Sequence, residues 1–233
     1  MHEFSPKIIG GNFGYNKSFH SFALLTGIME MKERIQQKAN DLFRRYGVKS
    51  ITMDEIAAQL GVSKKTIYQY FTDKDELVEA VVRETITYAQ KTCDDNHETS
   101  KDAVHELFQA MDFIQQIFSD MNPAMMYDLE KFHPLSYRIF LDHKNKYLYD
   151  MIRANLKRGI AEELYRPEIN IDIIAKFRLE AMMIAFNQDV YPASKFNLIE
   201  LHTAIIEHFL FGVASLKGYK LILKYQQERQ KVN

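Results

Sequence analysis

Residues able to do acid–base, nucleophilic or metal chemistry are few in this chain. Two carboxylate–histidine pairs at i, i+3 spacing, Asp102 with His105 and Glu130 with His133, match the spacing by which helical bundles hold di-iron centres. Pro134 directly follows His133 and disturbs the helix that would have to carry it. No further carboxylate stands on an apolar face, so solvated helix faces are the better account and no metal is expected. Cys93, the single cysteine, excludes a disulfide framework and a multi-cysteine zinc site. Its neighbours Asp94 and Asp95 raise a thiol pKa, which argues against a redox switch. His202 and His208 lie in an otherwise apolar stretch and read as partly buried interface residues. A glycine-rich phosphate loop, GxSxG and HExxH are all missing. No catalytic residue, no cofactor and no enzyme activity are expected.

A denser set of hydrogen-bond donors lies in Thr52 to Phe71, TMDEIAAQLGVSKKTIYQYF. Before it, Ile35, Ala39, Leu42, Phe43 and Tyr46 form one apolar stripe on a helix that Gly47 caps. Thr52 and Glu55 make a capping box, opening a short helix with Ile56, Ala57 and Leu60 inward. Gly61 ends that helix, and Ser63 caps the next, Lys64 to Phe71, which turns Ile67 and Phe71 to the core. Thr72, with Asp75 three residues on, opens a longer helix through Leu77, Val78, Val81 and Val82. Ala57 is small where two helices cross, Gly61 can take a left-handed turn, and Val62 and Ile67 fill the wedge: the logic of a helix-turn-helix. Lys64, Lys65, Thr66, Tyr68, Gln69 and Tyr70 are left facing outward, a face without acids suited to phosphate oxygens and base edges.

Over Met31 to about Ala89 the chain resembles the DNA-binding domain of the tetracycline-repressor (TetR) family. The resemblance rests on Ala39, Leu42 and Phe43, then Gly47, Thr52, Ile56-Ala57, Leu60-Gly61-Val62-Ser63, Thr66-Ile67-Tyr68, Tyr70-Phe71, and Lys74 with Leu77. Lys65 stands where Gly or Pro is commoner in that family, and Tyr70 where His is frequent. The resemblance implies a dimer on a near-palindromic double-stranded DNA operator. Tyr68, Tyr70, Thr52 and Lys74 would position phosphates, while Lys64, Lys65, Thr66 and Gln69 would face the bases. It also implies a repressor released by a small apolar effector in a C-terminal helical domain.

Composition agrees with a globular protein: 46% hydrophobic and 26% charged residues, with 30 Lys plus Arg against 31 Asp plus Glu and a net charge of -1. A polycation coating nucleic acid is excluded, so DNA affinity must come from a local patch. No stretch approaches the roughly 18 apolar residues of a membrane span, and a cytoplasmic location is expected. Residues 1–28, with four glycines and no helical period, read as a disordered extension; 29–91 as the DNA-binding domain; 92–233 as the helical ligand-binding and dimerisation domain. Strand-like alternation is absent, so the fold is read as all-α. Pro123, Pro134, Pro167 and Pro192 divide the second part into about five helices.

Met and aromatic residues are frequent between Phe108 and Phe186, Met111, Phe118, Met125, Phe132 and Met183 among them. Ordinary core packing explains most, though such a lining can also host an apolar ligand. Ile171 to Val190 carries two apolar sets and Ala204 to Leu216 is similar, so both are expected to pair with their copies, with Ile184, Ile205, Phe209 and Val213 in the interface. Two alternatives stand beside this reading: a nucleoid or cell-division adaptor on the same fold without a small-molecule ligand, and a metal-dependent helical-bundle enzyme.

Overall fold

The computed structural model describes residues 30–230, and the expectation for residues 1–28 lies outside them. Helix α1 spans Met31–Tyr46 and buries Ile35, Ala39 and Phe43 completely. Tyr46, expected on the same stripe, is instead exposed: the chain turns at Gly47 (φ +84°), and the buried Val48 completes the core at that end. Helix α2, Met53–Leu60, and α3, Lys64–Tyr68, cross over Ile56, Ala57 and Ile67. The regular part of α3 ends earlier than the apolar pattern suggested, but Phe71 still reaches the core at 1% exposure. Helix α4 runs Lys74–Thr99, straight through the expected boundary at residue 91. Its N-cap is Asp73, whose side chain accepts from the Glu76 amide, and Thr72 precedes it.

Beyond residue 100 there are more helices than prolines alone suggested: α5 Ala103–Phe118, α6 Met125–Phe132, α7 Pro134–His143, α8 Tyr149–Ala161, α9 Ile171–Ile184, α10 Leu198–Val213 and α11 Leu216–Gln230. A π-helical turn, Lys144–Leu148, joins α7 to α8, and a break that carries no proline separates α10 from α11. Pro134 sits in the first turn of α7, where its missing N–H would have been unpaired anyway. Among the described residues there is no strand, only an isolated bridge between Tyr165 and Ala214.

Two apolar cores form, and they do not divide where the sequence suggested. The first joins α1–α4 to Met125, Met126 and Leu129 of α6. The second is built from α5, α8, α9, α10 and α11, around Leu156, Leu179, Leu210 and Ile222. Phe209 and Val213 belong to this second core at 5% and 3% exposure, so neither offers a surface to a second copy as expected. Ile205 is half-buried and Ile184 exposed. The outward apolar stripe of α9 is Ile173, Phe177 and Ile184, spaced i, i+4, i+11.

Candidate nucleic-acid interface

Short-range hydrogen bonds build the α2–α3 turn. The Glu55 amide donates to Thr52 Oγ1 at 3.2 Å, and the Thr52 amide donates to Glu55 Oε2 at 2.7 Å, completing the capping box. Gly61 takes the left-handed conformation (φ +68°); a Cβ there would meet no neighbour, so the backbone angle alone favours glycine. The Gly61 and Val62 amides donate to Ala58 and Ala57 carbonyls, closing α2. Ser63 Oγ accepts from the Thr66 amide at 3.1 Å and starts α3. With Ile67 and Phe71 anchored inward, α3 can present only its other side.

The eight residues expected at the interface fall into two groups. Lys65, Tyr68, Gln69 and Tyr70 are exposed, and no ion pair or side-chain hydrogen bond occupies Lys65 or Gln69 among the described residues. The other four already have structural partners. Thr52 Oγ1 serves the capping box, and Thr66 Oγ1 lies 2.8 Å from Ser63 Oγ. Lys64 Nζ pairs with Asp54 Oδ1 at 2.8 Å, both side chains exposed. That hydrogen bond raises the Lys64 pKa, and the pair is open to water and readily exchanged for a phosphate. Lys74 departs furthest from expectation: its ammonium turns inward, donates to the Val48 carbonyl at 2.6 Å and lies 6.0 Å from the Phe43 ring centroid. Burial lowers its pKa. It ties α4 to the loop before α2, a positioning task that leaves it half-covered.

The carboxylate–histidine pairs also find structural work. Asp102 caps α5 by accepting from the His105 amide at 2.8 Å. His133, read from sequence as solvated, is buried, only 7% exposed, and donates from Nδ1 to the Asp75 carboxylate at the start of α4. Asp128, on the same short helix as Met125 and Leu129, is buried and accepts from the Lys49 amide at 2.9 Å. Asn122 donates its amide to the Arg44 carbonyl at 2.6 Å. These groups fasten α6 and its flanks to the helix-turn-helix unit, and sequence reasoning missed them. The available signal was a carboxylate, Asp128, sharing the apolar side of α6.

Residues 35–81 match the family model for bacterial regulatory proteins of the tetR family. An HTH-type transcriptional regulator of Bacillus subtilis (strain 168), YvaF, is 26% identical over 79% of this chain and 96% of its own length. The helix-turn-helix unit is similar to that of TetR-family regulators. The relatives it resembles are named as HTH-type transcriptional regulators. Solved structures of transcriptional regulators are similar in fold over most of the chain. A regulator from Agrobacterium tumefaciens superposes with a TM-score of 0.67 at 18% identity, covering 79% of this chain and 97% of that one. One from Saccharomonospora viridis, in complex with choline, gives 0.64 at 15% identity over 79% and 97%. No helix among the described residues is long and apolar enough to cross a membrane.

Proposed function

We propose that this protein is a TetR-family regulator that acts in the cytoplasm as a homodimeric repressor. It binds a near-palindromic operator through α3 and is released by a small molecule bound in its C-terminal helices. The observation that carries the reading is the outward face of α3 and the turn after it, where Lys65, Tyr68, Gln69 and Tyr70 are exposed together and no acid stands. Lys and Gln offer donors to base edges, and the two phenols reach phosphate oxygens. A single α3 covers only a few base pairs, so specificity requires two copies. The exposed stripe Ile173, Phe177 and Ile184 on α9 supports a two-fold pairing that would hide it.

Release follows from the way the two cores meet. Helix α6 lies in the first core, while the preceding α5 lies in the second. A ligand that shifts α5 relative to α10 therefore moves α6, and with it the fastening of Lys49, Asp75 and Arg44. To weaken DNA binding the ligand must favour the arrangement that fits the operator less well. A related fold accommodates choline, which supports small-molecule binding in this architecture without naming this chain's ligand.

Selection of bound sequences from random double-stranded DNA tests the reading. The selected site should be a near-palindrome with half-site centres about one helical turn or more apart, roughly 10 bp per turn. Binding of unselected DNA as tightly as any enriched sequence would contradict it.

A further inference from the structure

Helices α9 and α10 flank a partly open cleft of about 260 Å³ whose walls include Phe177, Met182, Ile205 and Phe209. Arg178 also lines it. This side chain is 5% exposed, and neither Nε nor Nη1 has a hydrogen-bond partner among the described residues. The guanidinium lies over the Phe209 ring, 4.7 Å from its centroid, which offsets part of the cost of burying the charge. Glu106 is the carboxylate whose field reaches it, but Glu106 is already held by Arg158 at 3.2 Å and His97 at 3.1 Å. A buried cation left unpaired in this way destabilises a fold, whereas an apolar side chain of similar volume would not.

We infer that this cavity binds a small organic monocarboxylate, its apolar body between the α9 and α10 walls and its carboxylate on Arg178. A planar guanidinium presents parallel N–H groups that match a carboxylate's two oxygens. One negative charge neutralises one buried cation. A phosphate dianion would leave a second charge against apolar walls, a neutral ligand would leave Arg178 unpaired, and a cation would be repelled. His208, which is exposed, also lines the cavity and adds a hydrogen-bonding group to it. The inference rests on the effector-responsive reading above and gives that effector a chemical class.

Calorimetric titration of the full chain with hexanoate, octanoate, benzoate and phenylacetate, each beside its primary amide, tests it in wild type, Arg178→Met and Ala204→Phe. At least one carboxylate should bind wild type and raise its thermal midpoint, with its amide at least tenfold weaker. Arg178→Met should lose that preference. Ala204→Phe, which grows into the cavity from the α10 side, should lose binding with Arg178 in place. Without ligand, Arg178→Met should melt at or above wild type, because the substitution removes an unpaired buried charge. A midpoint several degrees lower would show a structural role and overturn the inference. So would conversion of Arg178→Met from dimer to monomer in light scattering, since the guanidinium would then be satisfied by a second copy. Equal binding of acids and amides, or no binding of any of the four acids, overturns it as well. Release of the selected operator separates this claim from the one beneath it. Acids that bind but leave the DNA complex intact support the site and contradict the effector reading. Release by a different compound, with no acid binding, does the reverse.

Discussion

His202 is 1% exposed, wedged between the rings of Phe118 and Phe186 at centroid distances of 4.6 and 5.2 Å. Both its ring nitrogens lack partners among the described residues, and burial lowers its pKa to about 4. Because the folded-state value lies below the unfolded one, about 6.5, the unfolded chain takes up the proton first as pH falls. Stability from a neutral His202 is therefore fully present above about pH 6.5 and declines toward pH 4, by an amount on the order of 2–3 kcal/mol. His202→Leu should flatten this decline, so that its thermal midpoint drops several degrees less than wild type between pH 6.5 and 4.5. His143, lowered to about 4 by the same cause, leaves part of the slope in the variant. Identical pH profiles would contradict the assignment. Cys93 follows the same physics: burial first, then Asp94, pushes the thiol up to about 11 and keeps it unreactive at neutral pH. The acidic neighbours were visible in the sequence, but the larger cause, burial, was not. Arg178 was hidden for a similar reason. It lies three residues from Ala175 on a helix whose charges mostly reach solvent, and only the packing of α10 shows that it does not.

At the scale of elements, local devices were the most legible. The capping box at Thr52, the turn glycine at Gly61 and the cap at Ser63 all act within four residues, so sequence spacing alone fixes their partners. What failed were the placements that depend on another helix. Lys64 meets Asp54 because α2 and α3 cross, and Lys74 turns to Val48 because the loop before α2 folds back onto α4. Helix α6 is the largest such case. Its Met residues looked like pocket lining or bundle core, yet with Leu129 they complete the core of the helix-turn-helix unit. Leu129 is 3% exposed in that core, so Leu129→Ala should cost about 2–5 kcal/mol in denaturant unfolding. It should also speed amide exchange in α1–α3, although Leu129 lies far along the chain from them. Faster exchange confined to α6 and α7 would show that α6 does not support the unit.

For the whole molecule, the account depends on two copies presenting two α3 helices at once. Phe177 is 56% exposed and Ile173 65%, an apolar surface that a lone protomer leaves in water. Wild type should be a dimer at micromolar concentration in light scattering, and Phe177→Asp a folded monomer with unchanged helical signal. Phe209→Asp would instead damage the protomer, since Phe209 is interior. A monomeric wild type would refute the pairing. The sequence showed that α9 and α10 carry more apolar residues than one face needs. It could not show which of them the protomer keeps for itself, because Phe209 and Val213 join a core with residues of α5 and α8 that lie remote in the chain. The most direct test of the central claim is footprinting on the selected operator by wild type and Lys65→Glu. Lys65 is exposed and has no ion-pair or hydrogen-bond partner among the described residues, so the variant should stay folded and dimeric. Wild type should protect both half-sites symmetrically, and the variant should lose specific protection of both together. A folded, dimeric Lys65→Glu protein that protects the operator like wild type would contradict the assignment of α3 as the DNA-reading element.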